Sequence, residues 1–160
     1  LEGSRSGAGA AATWLTGQTL GFGPERFGAM LAAAIDARKE FQASLLEGCA
    51  MARPLSPADT NILCFSVAQE GEVLSAANAR TEAAFKGFRM DREFSLSRTV
   101  LSTESYEALI DAHVAGYGGG RDSSELVLLR CVFMNPFWSN RAVSDHLIPR
   151  FIETLNRFVS

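Results

Sequence analysis

The chain contains no apolar run approaching the roughly 18 residues that a membrane-spanning helix requires. Its start shows no basic segment leading into an apolar one, which argues against a signal peptide. An excess of positive charge is also missing. The net charge is −3 and the pI near 5.4, so there is no electrostatic case for nucleic acid or an anionic membrane as partner. The three cysteines, Cys49, Cys64 and Cys131, are far apart and form no CxxC or Cys/His spacing, so no metal site is indicated. Cys64 and Cys131 sit in apolar runs, where a cysteine acts as a small hydrophobe. A reducing, cytoplasmic compartment is the simplest reading.

Groups for catalysis are equally scarce. Lysine occurs twice, as Lys39 and Lys86, both on expected solvated helix faces. An imine-forming amine needs an apolar or cationic pocket to lower its pKa, and neither position offers one. His113 and His146 have no partner at a spacing that fixes a triad, and each reads as a surface or capping histidine. The carboxylates form no paired motif. No complete active site is expected in these residues.

What remains is the material of one globular domain with a real core. The chain has 160 residues, 47% hydrophobic and 21% charged, which is ordinary soluble-protein composition. The first residue is Leu, which suggests a fragment or a processed chain. The Gly/Ser-rich opening LEGSRSGAG reads as a tight loop leading into a helix. Residues 10–20, with Trp14 and Leu15, predict a buried helix. Pro24 then suits the first position of a long amphipathic helix. Its stripe runs through Phe27, Met30, Leu31, Ala34, Ile35, Phe41 and Leu45, with Arg38 as the exception, and Gly48 is a good C-cap.

From residue 48 onward the expected order is strand, strand, helix, strand, helix, strand, helix. The segments are 49–53, 61–68, 73–88, 94–101, 103–115, 126–134 and a last helix whose stripe runs from Val143 to Val159. Ser102 or Thr103 would cap the helix over 103–115. Ser144 would cap the last one, placing Pro149 in its second turn; a start at Ser139 would make Pro149 costlier. Such an order favours an α+β fold, a small antiparallel or mixed sheet with helices on one face. The glycines of residues 116–120 could cradle a phosphate or form a plain flexible crossing. The two leading helices, residues 8–47, have no strand of their own and look as though they belong with something else.

The most distinctive stretch is LVLLRCVFMNP, residues 126–136. Its first nine residues carry a single charge, Arg130, in a run that predicts a strand buried on both faces. Guanidinium stays protonated at any reachable pH. A buried Arg130 would therefore need an anion, either a protein carboxylate or a bound one. Arg98, also between apolar residues of a strand, competes for that role. Arg5, in a loop before a helix, is a further possible anion contact.

GSRSGAGAAATW (residues 3–14), the long helix after it, SPADTNILCFSV (56–67), FSLSRTVL (94–101) and LLRCVFMNP (128–136) stand in the order seen in group II pyridoxal-phosphate (PLP) decarboxylases. These include the glutamate and aromatic-amino-acid decarboxylases, and the chain resembles their C-terminal portion; the first motif also resembles the sphingosine-phosphate lyases. The resemblance implies fold-type I, with residues 1–47 as the last helices of the large cofactor domain and 48–160 as the C-terminal small domain of a homodimer. In that family the arginine of the LR-x-x-x-x-NP strand holds the substrate's α-carboxylate, which carries over to Arg130. Ser4 and Arg5 would lie near the cofactor and subunit interface. The family's cofactor-bonding lysine, its ring-stacking histidine and its ring-nitrogen aspartate lie upstream of the first motif. These residues alone are thus expected neither to bond PLP nor to decarboxylate. Residues 137–144 are longer than the family's usual turn into the final helix. Other readings are a PLP-dependent lyase or aminotransferase of the same fold, or a non-catalytic α+β binding or dimerisation module.

Overall fold

The computed structural model describes residues 7–135, 138 and 140–159. In chain order these form α1 (Ala8–Thr19), α2 (Phe27–Gly48), β1 (Ala52–Pro54), β2 (Ile62–Val67), α3 (Leu74–Met90), β3 (Ser97–Ser102), α4 (Thr103–Ala115), β4 (Glu125–Val132) and α5 (Arg141–Val159). The strands make one antiparallel sheet in the order β1-β2-β4-β3. The α+β architecture expected from the element order is the one observed.

Alternation along the strands sends successive side chains to opposite faces. One face carries Leu63, Phe65, Val67, Leu129 and Phe133, packed against Phe41 and Leu45 of α2, Ala84 and Phe88 of α3, and Phe151 and Leu155 of α5. Phe151 is the hub of this core. It stacks on Phe88 at 5.1 Å and meets Phe41 and Phe94 edge-on at 5.0 and 5.5 Å, the offset and T-shaped geometries aromatic rings prefer. The other face is covered at one end only. There α4 lays Ile110 and Val114, with Tyr117 just beyond it, over Leu126 and Leu128.

Several local expectations need correction. The helix α1 buries none of its residues, and Trp14 and Leu15 are 66% and 56% exposed. Its run of alanines supplies helix propensity but no wide apolar face, so the helix forms without a core to join. The helix α5 begins at Arg141, not at Ser144. Asn140 is its cap, with Oδ1 accepting from the Ala142 amide at 3.0 Å, while Ser144 is buried inside the helix. Pro149 therefore stands well inside α5 and leaves one carbonyl without its helical donor. The cap of α4 is as expected, Ser102 Oγ accepting from the Glu104 amide at 3.2 Å.

The glycine-rich crossing is neither a phosphate cradle nor slack. Gly116, Gly118 and Gly119 donate their amides back to Ala112, Ala115 and Val114 at the end of α4, and Gly118 takes φ +70°. Amides committed to helix carbonyls cannot also face an anion. The same loop is tied to the β2–α3 turn, Gly71 N donating to Tyr117 O at 2.8 Å and Leu74 N to Gly120 O at 2.9 Å.

Candidate functional site

Arg130 is not buried. In β4 the exposure alternates at its C-terminal end, Leu129 buried, Arg130 exposed, Cys131 half-buried, Val132 exposed. The run is apolar apart from Arg130, yet α4 caps only its Leu126–Leu128 end on the second face, and past that end Arg130 and Val132 are exposed. The register sets Arg130 directly between Cys64 of β2 and Ser97 of β3, and directly opposed residues share a face. One step further along, Ile62 faces Val132, and both are among the exposed large hydrophobics. Among the described residues the Arg130 side chain has no hydrogen bond or ion pair. Its one recorded electrostatic partner is the Cys64 thiol, which burial raises and Arg130 partly lowers.

The competing arginine is already paired. Arg98 donates through Nη1 to both oxygens of Glu82 on α3 at 2.9 and 2.8 Å and lies 5.6 Å over the Phe85 ring. Ser4 and Arg5 fall outside the described residues.

The buried arginine of this fold is Arg38, 6% exposed. No anion meets it. Its Nε donates to Thr60 O at 3.2 Å, Nη2 to Ala58 O at 2.7 Å and Nη1 to Gln42 Oε1 at 2.9 Å. The guanidinium fork thus ties α2 to the loop entering β2. Its break in the apolar stripe of α2 was the one sign of this role.

A second polar group lies on the same face as Arg130, under α4. Ser66 follows Cys64 by two residues on β2, stands opposite Arg53 of β1, and its Oγ lies 2.8 Å from His113 Nε2. His113 is therefore no surface histidine. Burial, with Arg53 adding to it, holds its pKa down to about 4, so it is neutral at physiological pH. Nothing in the sequence links two residues 47 positions apart. His146, by contrast, is exposed, 2.9 Å from Arg150 Nη1.

Neither lysine is placed to bond a cofactor aldehyde. Lys39 is exposed and pairs with Asp36 at 3.2 Å, and Lys86 is exposed on α3. No group of three or more potential metal ligands occurs among the described residues, and no helix among them is long and apolar enough to cross a membrane. The described residues do not by themselves fit PLP. Among the exposed arginines without a side-chain partner, Arg26, Arg89, Arg92, Arg130 and Arg141, Arg130 alone stands within a strand of the sheet, where its guanidinium can grip a carboxylate.

No family model matches the chain, and no curated relative matches it. Among solved structures it is similar to Oryza sativa TDC, a tryptophan decarboxylase crystallised with PLP and tryptamine, with a TM-score of 0.58 and 14% identity over 92% of this chain. The chain spans 26% of the length of that structure's chain. At such an identity the likeness is one of fold: the helices and four-stranded sheet described above are arranged as in part of a PLP-dependent decarboxylase.

Proposed function

We propose that this chain is the C-terminal part of a PLP-dependent amino-acid decarboxylase in which Arg130 holds the substrate's α-carboxylate. The observation that carries the reading is the state of Arg130: a charged fork in the middle of a strand, exposed, without an anion among the described residues, on a sheet face that α4 does not cover beside Ile62 and Val132. A guanidinium offers parallel N–H donors that match a carboxylate bidentately, which fixes the orientation of the Cα–carboxylate bond as well as the position of the anion. Its planar fork also leaves the substrate's remaining bonds free to face a partner surface.

Bound in the whole protein, PLP supplies the sink for the electron pair released as CO2 leaves. The groups that hold it come from outside this chain, apart from Ser4 and Arg5, which we place near the cofactor and the interface of a homodimer. Residues 1–47 belong with the large cofactor domain and 48–160 form the small domain. In support, Trp14, Leu15, Phe22, Met30 and Leu31 leave an apolar surface exposed along α1 and the start of α2, whereas the later part of α2 buries Ala37, Phe41 and Leu45 against the sheet.

The test is Arg130→Ala in the full-length protein. The cofactor's visible absorption is expected to persist while kcat/KM for the amino-acid substrate falls by roughly a hundredfold, the loss expected of a charge-assisted bidentate contact. An unchanged kcat/KM, or loss of the cofactor band, would count against the assignment.

A further inference from the structure

We propose that the cleft between β1 and the end of α4 is a second ligand site, separate from Arg130, that takes a small monocarboxylate with an apolar body. Among the described residues, two buried side-chain polar atoms lack a partner, Arg53 Nε and Tyr117 Oη. Both belong to residues lining the same cleft of about 480 Å³. Buried polar atoms are almost always satisfied in native proteins, and those that are not call for a missing partner. Here both orphans can donate, so an oxygen acceptor is what the site lacks.

The chemistry of the walls narrows the class. Leu46, Ala52 and Pro54 are apolar and sit beside one cation, Arg53. This is the pattern of a pocket that buries a small organic body and fixes it by a single charged contact. Arg53 is only loosely held within the fold. Its ion-pair partner, Glu70, is 3.5 Å away with a side chain 79% exposed, an arrangement that contributes little. Tyr117 is 1% exposed and has the Arg53 guanidinium carbon 5.9 Å from its ring centre. His113 adds no charge, since it is neutral and its Nε2 is engaged with Ser66. The last turn of α4 also borders the cleft through Ala112 and Gly116, and the partial negative charge of a helix C-terminus opposes a dianion. One cation, that dipole and the Glu72 and Asp122 carboxylates, which help burial push the Tyr117 hydroxyl up, select a monoanion over phosphate.

Because both orphaned donors are shielded from solvent, the ligand enters as the Arg53 side chain swings from its loose contact with Glu70. Its carboxylate then takes the Arg53 Nε–H and the Tyr117 hydroxyl, and its apolar body lies against Leu46 and Pro54.

The test is calorimetric titration of the full-length protein with benzoate, benzyl alcohol and inorganic phosphate, on the wild type and on Arg53→Gln, Tyr117→Phe and Arg130→Ala. Benzoate binding is expected to persist in Arg130→Ala, to weaken at least about tenfold in Arg53→Gln, and to weaken severalfold in Tyr117→Phe, which removes one oxygen and keeps the ring. Benzyl alcohol and phosphate are expected to bind at least about tenfold more weakly than benzoate. Should Arg53→Gln fail to fold, Tyr117→Phe alone decides. Binding unchanged in Tyr117→Phe, binding lost only in Arg130→Ala, equal binding of phosphate, or no benzoate binding at millimolar concentration each overturns the site. The Arg130 assignment stands or falls separately.

Discussion

Cys64 and Arg130 stand directly opposite one another on β2 and β4, on the sheet face that α4 leaves open. The thiol is raised above its ordinary range by burial and drawn part of the way back by the guanidinium. Removing that charge destabilises the thiolate, so Arg130→Ala is expected to push the Cys64 pKa further up. The pH dependence of iodoacetamide alkylation, read in a background with Cys49 and Cys131 changed to Ala, measures this directly. A midpoint that stays put or falls would mean the two side chains do not face each other.

Arg38 and Arg130 are expected to behave oppositely towards stability. Arg38→Ala strips donors from two backbone carbonyls and from Gln42 at a buried position and should cost roughly 2–4 kcal/mol. Arg130→Ala removes an exposed, unpaired group and should change stability by no more than about 0.5 kcal/mol. Urea unfolding of both variants checks the contrast; similar losses would contradict it.

His113 makes the fold sensitive to mild acid. The folded chain holds this ring at about 4 against an ordinary 6.5, so between those values the unfolded chain binds a proton that the folded chain refuses. The stabilisation is fully present above 6.5 and is lost as pH falls towards 4, about 2 kcal/mol of it between pH 7 and 5. His113→Gln should flatten the stability profile over that interval. An equally steep profile in the variant would place the titrating group elsewhere.

Gly87 sits inside α3, where alanine normally stabilises a helix by about 1 kcal/mol. At this position a Cβ would come within 2.6 Å of the Phe158 ring of α5. Gly87→Ala should therefore destabilise by roughly 1–3 kcal/mol through overpacking. A variant more stable than the wild type would show that α3 and α5 are further apart than described.

These contrasts also mark what could be read from the chain alone. Periodicity and turn signals were enough to order the strands and helices, because amphipathic repeats report local geometry: the alternation over Phe94–Leu101 marked β3, though the strand itself begins at Ser97, and its Arg98, a competitor for the anion, is already paired with Glu82. Burial by distant elements is not written in a local pattern. The run around Arg130 reads as buried on both faces, yet α4 reaches only as far as Leu128 and leaves Arg130 open. Nor does spacing reveal that Ser66 and His113 meet, since the contact exists only once α4 folds across β2. Arg38 broke an otherwise apolar stripe, and that irregularity marked a buried arginine whose charge is met by the carbonyls of Ala58 and Thr60.

The most direct measurement of Arg130's role compares the binding of an amino acid with that of its decarboxylated amine to the full-length protein, with and without Arg130→Ala. If Arg130 grips the α-carboxylate, the wild type binds the amino acid more tightly than a matched amine, and the substitution erases that preference while leaving amine binding within about twofold. An undiminished preference for the carboxylate in Arg130→Ala would contradict the assignment.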